Sequence, residues 1–212
     1  MTPDFDAAFR QHFLDLLVWR RDVRRFRTDP LPAGTMKGLL EVACLAPSVG
    51  LSQPWRFVGV ADPARRQAVC DLYARCNADA LAAQPGERAA LYARLKLAGL
   101  ADAPEHLAVF IDPDPGQGGG LGRHTMPETL AYSAVTAIHT LWLAARTQGI
   151  GVGWVSILDP VSVREALDLP SDWSFIAYLC LGWPQEEHED PELERHGWEQ
   201  RQCEASVKPL VR

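Results

Sequence analysis

The chain has 212 residues, 47% of them hydrophobic and 23% charged, and carries 21 Lys and Arg against 27 Asp and Glu for a net charge of −6. That is enough apolar material for one domain with a sizeable core, and the acidic balance excludes a general nucleic-acid footprint. Five scattered cysteines with no C-x-x-C pair argue against a disulfide framework and a cysteine zinc site, and the six histidines form no H-E-x-x-H pattern, so no metal is expected.

No run approaches the roughly 18 apolar residues of a membrane span, so no membrane partner is expected. The start, with Met1, Asp4 and Asp6, lacks the basic and apolar regions of a signal peptide, which predicts a cytoplasmic protein. No repeat or linker interrupts the chain, so residues 1–212 are read as one domain.

In chain order, Phe5, Phe9, Phe13, Leu16 and Leu17 recur at helical spacing and predict a helix over 5–18. A second helix is predicted from Thr35 to Ala46, ended by Pro47. Residues 47–55, Pro-Ser-Val-Gly-Leu-Ser-Gln-Pro-Trp, form a loop whose small residues let a backbone approach a flat ligand, directly before a strand over 56–60. Two helices, 63–83 and 87–99, read as a packed hairpin and a candidate lid over 63–100. Residues 107–111 are a buried strand. The segment Gly116-Gln117-Gly118-Gly119-Gly120-Leu121-Gly122 contains no G-x-G-x-x-G in register and no G-K-[ST], so it reads as a flexible surface loop.

Thr125-Met126-Pro127-Glu128 has the form of a capping box and predicts a helix from Met126 to Gln148, apolar on more than one face, with Gly149 at its C′ position. A strand over 151–158 has glycines at its entry, where the backbone meets something closely. A short helix over 160–169 and a strand over 175–181 follow. The tail from Gln185 is polar and reads as an extension that wraps a partner.

The densest chemistry is Arg20-Arg21-Asp22-Val23-Arg24-Arg25-Phe26-Arg27. Guanidinium forks grip phosphate oxygens in pairs and stay charged, so five of them within an acidic chain read as one focused anion site. The surrounding positive charge favours ionised Asp22. Asp22 is then either a base or a salt bridge that orders the arginines.

Three pieces, in this order, resemble the FMN-binding nitroreductase family. The arginine run is similar to that family's R-R-S-x-R-x-F motif. Residues 47–55 are similar to its P-S-x-x-N-x-Q-P-W loop. The Gly-x-Gly strand with Ser156, the helix after Asp159-Pro160 and the Leu-Gly-Trp-Pro closure resemble its C-terminal half. Asp22 departs from the family's usual Ser, and Leu51 from a common Asn. With Gly-Val-Gly-Trp-Val-Ser-Ile-Leu and Leu-Gly-Arg-His-Thr-Met-Pro-Glu-Thr-Leu, these departures resemble a branch of the family that destroys its flavin. That branch cuts reduced FMN with molecular oxygen into 5,6-dimethylbenzimidazole, the lower ligand of vitamin B12, and erythrose 4-phosphate.

The resemblance implies an α+β fold with a central mixed, mostly antiparallel sheet flanked by helices. It implies a homodimer with flavin at the interface and the extension 185–212 wrapping the partner. Arg20, Arg21, Asp22, Val23, Arg24 and Arg201 would hold the FMN phosphate and ribityl chain. Pro47, Ser48, Gly50 and Ser52 would meet FMN from the other subunit, and Ser156, Ile157 and Leu158 would face the ring. Asp22 would be the base at the ribityl chain, with Ser156 hydrogen-bonding the flavin. A separate flavin reductase would supply reduced FMN. The alternatives are a reductase that recycles FMN with NAD(P)H, and a non-catalytic FMN carrier.

Overall fold

The computed structural model of the chain describes residues 3–96 and 98–202. Its elements are α1 (Ala7–Trp19), α2 (Thr35–Ala43), a 3-10 turn over Val49–Leu51, β1 (Trp55–Gly59), α3 (Pro63–Ala82), α4 (Gly86–Arg94), β2 (Glu105–Ile111), α5 (Thr129–Thr147), β3 (Gly151–Val155), α6 (Pro160–Ala166), β4 (Ser174–Gly182) and α7 (Glu192–Arg195). The four strands form one sheet in the order β1-β2-β4-β3. Among the described residues every ladder is antiparallel, and the one parallel pairing is an isolated bridge between Asp22 and Val152.

Both faces of the sheet are covered, which is why β2 and β4 read as continuous apolar runs. Strand alternation divides their side chains. Leu107, Val109, Ala177, Leu179 and Leu181 pack toward α2 and α5, together with Leu39, Ile138 and Leu141. Ala108, Phe110, Tyr178 and Cys180 pack toward α3 and α6, together with Val69, Leu72 and Val163. Asp-Pro pairs start two of the helices: Asp62 accepts from Ala64 N and Asp159 from Ser162 N, with Pro at the first helical position each time. At the end of α5, Gly149 N–H reaches Arg146 O and Ile150 N–H reaches Ala145 O, a Schellman closure with Gly149 at φ 72°.

Several boundaries differ from the sequence expectation. The helix expected from Met126 begins at Thr129; its N-cap is Glu128 with no side-chain cap, and residues 126–130 form turns closed by Thr129 N→Met126 O and Leu130 N→Pro127 O. Among the described residues, Thr125 therefore caps no helix. The helix expected over 87–99 ends at Arg94, and Leu95 is extended. The predicted strand over 151–158 stops at Val155.

The C-terminal segment makes contacts within its own chain. Residues 185–202 fold back on their own chain: Arg25 bonds Glu186 and Glu192, Arg146 bonds Glu187, and Trp198 packs edge-on to Tyr92 at 6.0 Å. The acidic stretch has its own chain's arginines as near neighbours. The last ten positions, including Cys203 and the basic end at Lys208–Arg212, lie outside the described residues.

The sheet edge formed by β3 positions the site. The arginine run lies along it, with Val23 N donating to Val152 O at 3.0 Å. Gly153 makes this approach feasible, since a Cβ there would stand 2.2 Å from the carbonyl oxygen of Val23. Phe26, fully buried, fixes the run's far end, and Arg27 N bonds Trp183 O at 2.8 Å. Among the described residues, no helix is long and apolar enough to cross a membrane.

Candidate active site

With Val23 and Phe26 turned inward, the arginines of the run are left facing out. Arg20, Arg21, Arg24 and Arg201 line one cleft with Asp22, Pro191, Glu192 and Leu193. Arg201, predicted 177 positions away from Arg24, is thus brought to the run. Burial lowers the pKa of both Arg20 and Arg21, and Arg201 lowers it further by like-charge repulsion. Such crowding of cations is relieved by an anion held between them. Arg20 lies over the Trp142 ring at 4.9 Å, and Arg24 donates to Asp22 and, at 3.3 Å, to Lys96 O. Arg21 differs: its guanidinium is occupied by the backbone carbonyls of Glu189 and Arg20.

Asp22 is held at both oxygens. Oδ1 accepts from Trp154 N at 2.9 Å and Oδ2 from Arg24 Nε at 2.7 Å. Its pKa lies above the ordinary carboxylate range because burial penalises the charged form. Arg24 and the Trp154 N–H oppose this, and the nearby Glu192 adds to it. Arg24 favours the ionised form, as the sequence implies, and desolvation opposes it.

Residues 47–55 form a second group. Pro47 is exposed and Ser48 and Gly50 are half-buried. Ser48 Oγ accepts from Gln53 N at 3.1 Å, and Val49 N donates to Ser133 Oγ of α5 at 3.0 Å. Ser52 is buried at 3% exposure, and its hydroxyl has no hydrogen-bond partner among the described residues. The glycine-rich segment lies directly against this loop, with Gln117 Nε2 donating to Leu51 O at 2.6 Å. It is docked, where the sequence suggested a free surface loop. Neither cleft that holds the arginines includes a residue of 47–55.

Ser156 is exposed just past the end of β3, the strand whose edge Asp22 joins. Ile157 is half-buried, and Leu158 sends its side chain into the core, leaving its backbone for any ligand contact. Sequence reasoning missed four features of this site: Trp142 beneath Arg20, Lys96 O beside Arg24, Glu192 in the cleft, and the amide of Trp154. Two of these are backbone groups, which no residue type signals. Among the described residues, no group of three or more His, Cys, Asp or Glu could hold a metal ion.

An antiparallel sheet between helical layers, an arginine cleft at its edge and a Pro-Ser loop beside α5 define a class. The nitroreductase family profile matches residues 17–183, and the chain belongs to that family. Within it, the chain is 61% identical to the 5,6-dimethylbenzimidazole synthase of Rhodospirillum rubrum, over 99% of this chain and 98% of that one. It is 46% identical to the 5,6-dimethylbenzimidazole synthase of Rhodobacter capsulatus, over 93% and 95%. Among solved structures, oxidised iodotyrosine deiodinase bound to FMN and 3-iodo-L-tyrosine superposes with a TM-score of 0.70 at 25% identity, covering 82% of this chain and 91% of that one.

Proposed function

We propose that this chain makes 5,6-dimethylbenzimidazole by oxygen-dependent fragmentation of reduced FMN, releasing erythrose 4-phosphate. The observation that carries the reading is the convergence of Arg20, Arg24 and Arg201 on one cleft whose wall includes the carboxylate of Asp22. The donor set fits a phosphate monoester: several guanidiniums, crowded and partly desolvated, face a single cleft. The 61% identity to a synthase over nearly the whole chain supports the same reading.

In this reading the bound flavin supplies electrons to oxygen, and the protein's residues set the outcome. Arg20, Arg24 and Arg201 grip the phosphate, while Arg21 holds residues 189–190 beside it. Val23 keeps the run on the sheet edge. Asp22 removes a proton from a ribityl hydroxyl, as a carboxylate of raised pKa is suited to do. Ser156 and the backbone of Ile157 and Leu158 meet the ring edge. Pro47, Ser48 and Gly50 close the site from a second subunit, with buried Ser52 supporting that loop from within.

The homodimer is supported by unpartnered apolar surface. Among described residues α1 buries none, and Phe9, Phe13, Leu14 and Val18 on it, with Tyr132 and Val135 on α5, are exposed. A second copy covers such a face. Reduced FMN reaches the enzyme from a separate flavin reductase, in the cytoplasm.

The test is to mix the protein with chemically reduced FMN, admit air, and assay 5,6-dimethylbenzimidazole by chromatography and mass. Its appearance in wild type and loss in Asp22→Asn, with FMN still bound, is the expected result. Return of intact FMN overturns the reading, and turnover with NAD(P)H would then identify a flavin-recycling reductase.

A further inference from the structure

Helix α4 meets the arginine cleft at two points far apart in sequence. Its continuation turns extended at Leu95, and Lys96 O just beyond accepts from Arg24 at 3.3 Å. Its own side chains hold Trp198. The Arg88 guanidinium stands 4.4 Å from the centre of the Trp198 ring, and the Tyr92 ring meets it edge-on at 6.0 Å. Tyr92 is itself buried, and its hydroxyl donates to Asn77 Oδ1 of α3 at 2.8 Å. The indole therefore rests on a seat that is tied to a second helix.

That seat lies three residues before Arg201. Helix α7 closes with Gly197 at φ 72° and Trp198 N donating back to Leu193 O at 2.8 Å. Residues 199–202 are in neither helix nor strand. Arg201 N donates to Glu194 Oε1 at 2.7 Å, which folds the segment onto α7. A helix of four residues has little stability of its own, so this bond orients Arg201 against α7 and not against Arg20 and Arg24. Contacts with the rest of the chain must do that. Glu186 and Glu192 on Arg25, and Glu187 on Arg146, hold the start of the segment. Trp198 on α4 holds the end that carries Arg201, with the area and directionality of a cation–π and an edge-on ring contact.

We propose that Trp198 is the positioning residue of Arg201: seated on Arg88 and Tyr92, it sets the Arg201 guanidinium into the cleft with Arg20 and Arg24. Helix α4 then references both walls of the cleft to one element, Arg24 through Lys96 O and Arg201 through Trp198. A grip held in place before the ligand arrives loses less freedom on binding. This rests on the reading of FMN as substrate given above, with Arg201 at its phosphate.

The experiment titrates apo protein with FMN and with riboflavin, which lacks the phosphate, following flavin fluorescence beside thermal unfolding of the same variants. Trp198→Ala weakens FMN binding about tenfold and leaves riboflavin binding unchanged. Trp198→Phe keeps a ring on Tyr92 and recovers most of the loss. Arg88→Ala leaves the indole in place and costs about two- to fivefold. Trp198→Ala added to Arg201→Ala causes no further loss, because the tryptophan acts through the arginine. Additive losses in that double variant, or a parallel fall in riboflavin affinity, overturn the proposal. So does wild-type FMN affinity in Trp198→Ala, or in Arg88→Ala where Trp198→Ala does not fold. Wild-type affinity in Arg201→Ala removes that arginine from the phosphate and overturns the proposal with it. If wild type makes no benzimidazole from reduced FMN and air, the proposed function fails on its own, and the FMN titration still decides the role of Trp198.

Discussion

The carboxylate of Asp22 accepts the backbone N–H of Trp154 at 2.9 Å, across 132 positions of sequence. Trp154 lies on β3, the outer strand of the sheet, whose free edge would otherwise leave that amide without a strand partner. Asp22 thus joins the arginine run to the sheet and faces the cleft with the same group.

Substitution separates these two roles. Asp22→Ala strands the Trp154 amide and unpairs Arg24, so it destabilises by about 2–4 kcal/mol. Asp22→Asn retains an acceptor for Trp154 and costs about 1 kcal/mol. Urea denaturation of the apo protein measures both. Equal losses would mean that the charge, and not the acceptor, ties the run to β3.

Asp22 also sets a pH dependence. Its pKa is raised by burial, so the ionised base accumulates only above the usual carboxylate range, which centres near about pH 4. The rate of benzimidazole formation should rise with pH through an acid limb above that range. A limb at or below it would argue against Asp22 as the base.

Gly153→Ala places a Cβ 2.2 Å from a backbone oxygen of Val23, and neither strand can yield cheaply. Overpacking of this kind destabilises by about 1–3 kcal/mol. The arginine run should lift from β3, and FMN affinity should fall with it. Unchanged affinity in the folded variant would show that the run's seat on β3 is not needed for binding.

Arg20→Ala and Arg201→Ala each remove a charge-assisted contact of about 1.5–3 kcal/mol, or roughly 10- to 100-fold in FMN affinity. Added salt should weaken wild type more than either variant. Lys37→Ala, exposed on α2, should bind as wild type. Equal effects from all three would reduce the cleft to net charge alone.

His106 supplies a stability prediction away from the cleft. It is buried, its Nδ1 2.9 Å from the Tyr178 hydroxyl, and burial pushes its pKa down to about 4. The unfolded chain takes that proton near pH 6.5 and the folded chain only near 4. Stability is therefore unaffected above about 6.5 and falls as pH drops toward 4, by up to about 3 kcal/mol. His106→Gln, which keeps a partner for Tyr178 but does not titrate, should flatten that window in denaturation midpoints measured from pH 4 to 7.

Much of the architecture was legible because it is local. Alternation is invisible in Leu107-Ala108-Val109-Phe110-Ile111, yet its unbroken apolarity marks a strand covered on both faces. Asp62-Pro63 and Asp159-Pro160 start helices through contacts two or three residues long. The Thr125 capping box misled because its pattern is not sufficient for a cap: residues 126–130 form turns, and the helix begins only at Thr129.

The sequence by itself determined the inventory: an arginine run with one carboxylate, a Pro-Ser loop, and a strand entered by glycines. Only the tertiary structure decided what each meets. Gly153 admits the carbonyl of Val23, where sequence offered an unnamed close approach. Arg201 reaches Arg20 and Arg21, and the acidic stretch after Gln185 pairs with Arg25 and Arg146 of its own chain. Burial acts on Asp22 for the same physical reason, raising its pKa against the pull of Arg24. Neighbouring charges can be read along a chain, but desolvation comes from atoms that folding brings in from more than a hundred residues away.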